Sequence, residues 1–389
     1  MKGRPRRDEF LVFGAPAIGE AEIAEVVATL RSGWLGTGPK VERFEAEFRD
    51  YVGSRHAVAL NSCTAGLHLA FVASGIRQGD EVITSPLTFS ATANAIVHVG
   101  ATPVFADVDP GTMNVAPDAV ARALTSRTRA ILPVHFAGRP CDMDPIVEIA
   151  KSHGLSIVED AAHATEGRYR GRRVGTLGDL AAFSFYVTKN LVTGEGGMAT
   201  TDNAAWAEEI RIRSLHGISW DAWRRYSADG YQPYDTLYPG YKYNMTDLQA
   251  ALGIHQLARL ESNLKIRERH WRSYEEAFRD HPCLATPAPP DPRDRHARHL
   301  YTIVLDTGRA KMTRRDFIAA LKDENIGTGI HFTPLHLHSY YTKTFGYARG
   351  QFPTAEFIGE RIVSLPLSPR LTDEDVEDVI AAVFRVLPA

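Results

Sequence analysis

The feature that most constrains this chain is the alternation of short β-rich runs with helix-length segments. The runs are "HAVAL", "EVITSP", "TPVFADV", "RAILPVHF" and "LSIVED", and segments such as "AGLHLAFVASG" and "SATANAIVHVG" lie between them. Two strands that run the same way need a crossover of a dozen or more residues, which a helix supplies. The pattern predicts an α/β fold with a mostly parallel central sheet and helices on both faces. Ligands of such sheets bind beyond the carboxyl ends of the strands. Two amphipathic helices precede the sheet: "GEAEIAEVVATLRSG", stopped by Gly33, and "VERFEAEFRDYVG".

The texture changes near residue 255. "IHQLARLESNLKIRERHWRSYEEAFRDH" reads as one long helix, and "HPCLATPAPPDPRDRHARH" as a Pro-rich connection. "LYTIVLD", a helix around "TRRDFIAALKDEN", the segment "IGTGIHF" and a closing helix "TDEDVEDVIAAVFRVL" then form a smaller α+β unit. The predicted division is 1–255, a large domain with an N-terminal arm, and 256–389, a small C-terminal domain. A chain of 389 residues suits two such units.

Bulk properties exclude several partners. The net charge of -3 gives no reason to expect nucleic acid or a membrane surface. No apolar run approaches the ~20 residues of a membrane span. The basic start "MKGRPRR" lacks a following apolar stretch, so it reads as a disordered tail rather than a signal. Cys63, Cys141 and Cys283 are odd in number and far apart, as in a cytoplasmic protein. No P-loop, GxGxxG or GxSxG pattern is present. His331, His336 and His338 in "HFTPLHLH" match no common metal spacing, and no metal is expected.

The stretch "SFYVTKNLVTGEGGMATT" carries the chemistry. Lys189 sits between the apolar "AAFSF" and a GEGG turn that lets backbone approach a neighbour closely. Upstream, in "SIVEDAAHATEG", Asp160 ends an apolar run, where an α/β sheet presents functional groups. A lysine made nucleophilic by burial, beside a carboxylate at a strand end, suits Schiff-base chemistry with pyridoxal 5'-phosphate. There the carboxylate keeps the pyridine nitrogen protonated. "ALNSCTAGLHLA" supplies a phosphate site, with small polar residues opening a helix near Ala65.

These motifs, in order with "SGWLGTGPKVERFE", "GDEVITSPLTFSATANAI", "PVHFAGRP", "GYKYNMTDLQAALGIHQL" and "GTGIHFTPLHLH", resemble the DegT/DnrJ/EryC1/StrS nucleotide-sugar aminotransferases. The resemblance runs nearly end to end and implies the fold type I architecture of pyridoxal-phosphate enzymes. It implies that Lys189 forms the imine and shuttles protons, and that Asp160 pairs with the ring nitrogen. His163 would meet the ring hydroxyl and Phe89 the ring face. Thr64, the Ala65 amide and Ser184 would hold the phosphate. Asn244 would reach it from the second subunit of a homodimer with shared active sites. Many relatives read Gly-aromatic-Asn-aromatic-Arg where this chain has Lys242 and Asn244. Which of the two meets the phosphate and which the sugar diphosphate stays open. Trp34 and His331 would line the substrate cleft.

The resemblance is strongest to enzymes that aminate C4 of a nucleotide-linked 4-keto sugar, with L-glutamate as donor. A thymidine-linked 4-keto-6-deoxyglucose is the first candidate and a uridine-linked sugar the second. C3 amination and a cyclitol substrate are alternatives. Dehydratases of this group carry histidine in place of the lysine, so Lys189 argues against that activity. The full motif set argues against a non-catalytic relative.

Overall fold

A computed structural model describes residues 4–218 and 235–388. A seven-stranded sheet is built from β1 (His56–Leu60), β2 (Glu81–Thr84), β3 (Thr102–Phe105), β4 (Thr128–Leu132), β5 (Ser156–Asp160), β8 (Leu180–Ser184) and β9 (Gly197–Thr201). A small hairpin, β6 (Arg168–Tyr169) and β7 (Arg172–Arg173), interrupts the series. The order across the large sheet is β1-β9-β8-β5-β4-β2-β3. All pairings from β3 to β8 are parallel, and β9 alone runs against both its neighbours. The expected parallel sheet is thus present, with β5 at its centre.

Alternate residues of each strand enter different cores. Ala57, Ile83, Ile131, Ile157 and Phe183 face one. Val58, Val82, Leu132, Val158 and Ala182 face the other. That two-sided burial explains why the strands read as continuous apolar runs. Helix α1 (Glu20–Ser32) ends where Gly33 takes a φ of 73°, as the sequence indicated. Helix α2 (Pro39–Val52) buries Val41, Phe44, Phe48 and Val52 at helical spacing. Its Phe44 and Phe48 meet Phe183 and Phe185 edge-on or tilted. Helices α3 (Cys63–Ala73) and α4 (Ser90–His98) follow β1 and β2.

A second core gathers Trp271, Tyr274, Phe278, Phe317 and Val379 around a three-stranded antiparallel sheet. Its strands are β10 (Leu284–Ala285), β11 (Tyr301–Leu305) and β12 (Ile362–Leu365).

Two expectations are corrected. The predicted single long helix is two, Asp247–Ala258 and Leu260–Phe278, separated at Arg259 (φ −108°, ψ 8°). Ala250 and Ile254 pack into the core of the large sheet, whereas Trp271 and Tyr274 serve the second core. Arg259 turns back to pair with Glu22 and the carbonyl of Ala17. Hydrophobic periodicity does not register such a change of partner. The basic start is also not a loose tail across its described residues (Met1–Gly3 lie outside them). Arg4 pairs with Glu377 and Asp378, and Arg7 with Asp375 at 2.6 Å and Asp378 at 2.7 Å, on the acidic closing helix Asp373–Val386. Leu11 bridges to Ile326. Surface ion pairs are individually weak, but together these strap the N-terminal arm down. Among the described residues, no helix is long and apolar enough to cross a membrane.

Candidate active site

Asp160 is the last residue of the central strand β5 and is buried. Its backbone is fixed to the extension of β4: its N–H donates to Pro133 and its carbonyl accepts from His135. The carboxylate accepts from the Thr92 hydroxyl at 2.7 Å and the Ala162 amide at 3.1 Å. Burial raises its pKa, and the Thr92 and Ala162 donors, then Lys189 and His135, work in the other direction. The Thr92 and Ala162 donors aim the carboxylate.

Lys189 lies in the loop between β8 and β9. Its N–H donates to Tyr186 at 2.8 Å, closing a turn. Phe185 and Thr193 tie the loop ends together through backbone bonds, and Leu191 and Val192 are buried beneath it. Removal from water lowers the Lys189 ammonium to about 8, while Cys63 and Asp160 act in the other direction. An appreciable fraction is therefore free amine near neutral pH.

The GEGG turn explains itself by contact. A Cβ on Gly197 would lie 2.4 Å from the backbone carbon of Ser62 and 2.5 Å from the Cys63 nitrogen. No side chain fits there, and the turn clamps the start of α3. Ser62 caps that helix by accepting from the Ala65 amide at 3.1 Å. The Cys63 and Thr64 amides, in the first turn, have no acceptor within the helix. Cys63, Thr64 and Ser184 line a cavity of about 610 Å³.

That cavity brings together Thr64, Phe89, Asp160, His163, Ser184, Lys189 and His331, each singled out from sequence. Phe89 is 61% exposed and so is wall, not core. His331 donates or accepts at Ser364 Oγ, 2.8 Å away. Burial, then the Lys189 charge, lowers its pKa to about 4. The Ala65 amide is engaged by Ser62 and does not line the cavity. Asn244, Lys242 and Trp34 also lie outside this wall. Asn244 donates to the Thr37 hydroxyl at 2.7 Å, the Lys242 side chain is exposed, and Trp34 donates to the Thr37 carbonyl at 3.2 Å. His336 pairs with Glu356 at 2.9 Å and His338 with the Thr333 carbonyl at 3.3 Å. Among the described residues no cluster is suited to a metal.

Sequence reasoning missed Phe13, Cys63, Thr88, Thr92, Tyr186, His299 and Phe332. Phe13 arrives on the strapped N-terminal arm and stacks on His331 with centroids 5.5 Å apart. Nothing local marks it. Thr92 could have been found by asking which hydroxyl satisfies a buried Asp160.

The family model described as the DegT/DnrJ/EryC1/StrS aminotransferase family matches residues 16–384. The chain is 55% identical over 383 residues to the spore coat polysaccharide biosynthesis protein SpsC of Bacillus subtilis, covering 98% of each. Spr1654 of Streptococcus pneumoniae, in its PLP form, is similar at 34% identity and a TM-score of 0.88, covering 97% of this chain and 98% of that one. PseC of Helicobacter pylori, an aminotransferase involved in the biosynthesis of pseudoaminic acid, is similar at 26% identity and a TM-score of 0.90, over 98% and 99%.

Proposed function

The chain belongs to the DegT/DnrJ/EryC1/StrS aminotransferase family, and from that premise we propose that it moves an amino group from L-glutamate to C4 of a nucleotide-linked 4-keto sugar. It is a sugar aminotransferase dependent on pyridoxal phosphate. The aminotransferase chemistry in this reading is supported above all by one arrangement: the lowered amine of Lys189 shares a cavity with Asp160, Thr64 and Ser184.

The residues present fit the cofactor. First-turn amides of α3 with two hydroxyls suit a phosphate. A buried, doubly hydrogen-bonded carboxylate suits a pyridinium nitrogen, and the exposed Phe89 ring suits a flat ring face. When bound, pyridoxal phosphate supplies a carbonyl carbon that takes up amines and a ring that draws electrons from the carbon gaining or losing a proton. With the cofactor bound, Asp160 would keep a proton on the ring nitrogen and His163 would meet the ring oxygen. Thr64, Ser184 and the first-turn amides of α3 would hold the phosphate. Lys189 would supply the amine that forms the imine and, once released, a base to move the proton. Phe13, His331 and Phe332 line the same cavity and are candidates to meet the sugar. The balance is L-glutamate plus keto sugar giving 2-oxoglutarate plus amino sugar, with the first product leaving before the sugar is aminated. The helix break at Arg259 supports a cofactor-binding domain over 1–255 and a smaller domain over 256–389. The free state of all three cysteines supports a reducing, cytoplasmic setting.

The choice of C4 and of dTDP-4-keto-6-deoxy-D-glucose as first substrate rests on motif resemblance in "GYKYNMTDLQAALG" and "GTGIHFTPLHLH". Incubation with glutamate and matched 3-keto and 4-keto sugars on thymidine and uridine diphosphates tests it, with products identified by mass and NMR. Conversion of the 4-keto sugar at least tenfold faster is expected. Preference for a 3-keto sugar would move the amine to C3 and leave the transaminase reading intact.

The active unit is a homodimer in this reading. Ile23, Val27 and Leu30 form an exposed apolar stripe at helical spacing on α1, continued by Trp34 and Leu35. Trp34, Lys242 and Asn244 lie outside this chain's cavity wall, which supports a role in a second subunit's site, with Trp34 at the substrate and Lys242 and Asn244 dividing the phosphate and the sugar diphosphate between them. Sedimentation is expected to give a dimer at assay concentration. Placing aspartate at Val27 and Leu30 should yield monomers with little activity; an active monomer would refute shared sites.

A further inference from the structure

The segment "IGTGIHF" carries Gly327 and Gly329, two residues apart and so on one face of an extended chain. Neither takes a left-handed φ, so space rather than conformation requires glycine. The N-terminal arm takes that space. A Cβ on Gly327 would lie 2.8 Å from both the Leu11 carbonyl oxygen and the Phe13 nitrogen, and one on Gly329 would lie 3.1 Å from the Phe13 ring. Leu11 donates to the Asn325 carbonyl, and its own carbonyl accepts from Gly327, both at 2.8 Å. Gly329 in turn exchanges backbone bonds with Ser364 of β12, at 3.0 and 2.8 Å. The arm is thus laid parallel to residues 326–329 as an added edge of the small sheet.

Anchors lie on both sides of Phe13. Upstream, Arg4 and Arg7 pair with the closing helix, Asn325 donates to the Arg7 carbonyl at 2.8 Å, and Leu11 is buried in the second core. Downstream, the Ala17 carbonyl accepts from Gln256 at 2.8 Å and from Arg259. Between these anchors, Phe13 and Gly14 line the cavity of Lys189. A Cβ on Gly14 would touch the Thr188 side chain at 3.4 Å, one residue before that lysine. The Phe13 ring packs against the cluster of Leu87, Phe136 and Leu300 and stacks on His331, which Ser364 Oγ holds to β12 at 2.8 Å. A benzyl ring has no hydrogen bond to give, and its face is electron-rich. It suits the C–H face of a sugar ring and offers nothing to the carboxylates of glutamate.

We propose that Phe13 is a specificity-determining residue for the sugar substrate, and that Gly327 is a positioning residue that acts through it by seating the arm. β12 holds residues 326–329 by paired backbone bonds, whereas the arm lies at the edge. A side chain at 327 therefore displaces the arm rather than the sheet, and carries Phe13 away from His331. The inference rests on the chain being a sugar aminotransferase, but not on which ring carbon is aminated or which nucleotide is attached.

The experiment uses full-length protein loaded with cofactor. Hydrogen exchange read by mass spectrometry needs no sugar, so its failure is distinct from failure of the substrate assignment. Residues 10–14 should be protected in the parent and should exchange about tenfold faster in Gly327→Ala. The glutamate and sugar half-reactions are then timed separately by stopped-flow absorbance, with whichever of the thymidine- and uridine-linked 3-keto and 4-keto sugars reacts fastest. The ratio of sugar to glutamate efficiency should fall by about tenfold in Phe13→Ala, the scale of one lost aromatic contact, and recover most of that in Phe13→Tyr. It should fall by about fivefold in Gly327→Ala, and adding that change to Phe13→Ala should cost no more than about twofold further. Freely exchanging arm amides in the parent, equal losses in both half-reactions of Phe13→Ala, or fully additive losses in the double variant would each overturn the proposal.

Discussion

Replacing Lys189 with alanine is expected to abolish turnover, by at least ~10⁴-fold, because one atom serves both as nucleophile and as proton carrier. The fold should survive. Lys189 is held by its backbone turn, and the loop's anchoring comes from the Phe185, Leu191 and Val192 neighbourhood rather than from the amine. Borohydride treatment of the cofactor-loaded protein should fix the cofactor to Lys189 in the parent and to no lysine in the variant. Label recovered on a different lysine of the parent would end the assignment.

Asp160→Asn is the second large effect expected. The amide preserves size and can still accept from Thr92 or Ala162, so folding should be near normal. It cannot hold a proton on a ring nitrogen as a carboxylate does. Transamination should drop by roughly 10²–10³-fold, the scale of removing one preorganised electrostatic contact from a reacting centre. Cofactor affinity should fall much less, since the phosphate grip at Thr64 and Ser184 is untouched. A rate close to that of the parent enzyme would remove Asp160 from this role.

The parts of the site that were legible in the sequence are those written in local chemistry. Asp160 ends an apolar run because β5 is central and buried on both faces. Lys189 is flanked by a buried strand and a glycine turn because the loop must return to the sheet while touching the start of α3. Thr64 sits where a strand gives way to a helix. The residues that were not legible reach the cavity by long-range packing. Phe13 comes on an arm pinned by the far end of the chain, and His299 is aimed by Asn190, Glu166 and Arg267 from three separate segments. The sequence alone does not show that Ser62 takes the Ala65 amide for its own cap, because that depends on how the chain enters α3. The break at Arg259 escaped notice since both helices keep an amphipathic pattern while changing the core they serve.

The reversed strand β9 also imposes a schedule on synthesis. β1 is at the sheet edge, and its ladder partner is β9. A ribosome that makes about 5–20 residues per second leaves roughly seven to thirty seconds between the emergence of the two. Throughout that interval "HAVAL" is a finished apolar strand with no neighbour, the kind of edge that recruits other nascent chains. The helix α2, which precedes it and already carries Phe44 and Phe48, is the element available to shield it. Polar changes on the buried face of α2 should therefore lower the yield of soluble chain during synthesis more than they weaken the finished protein.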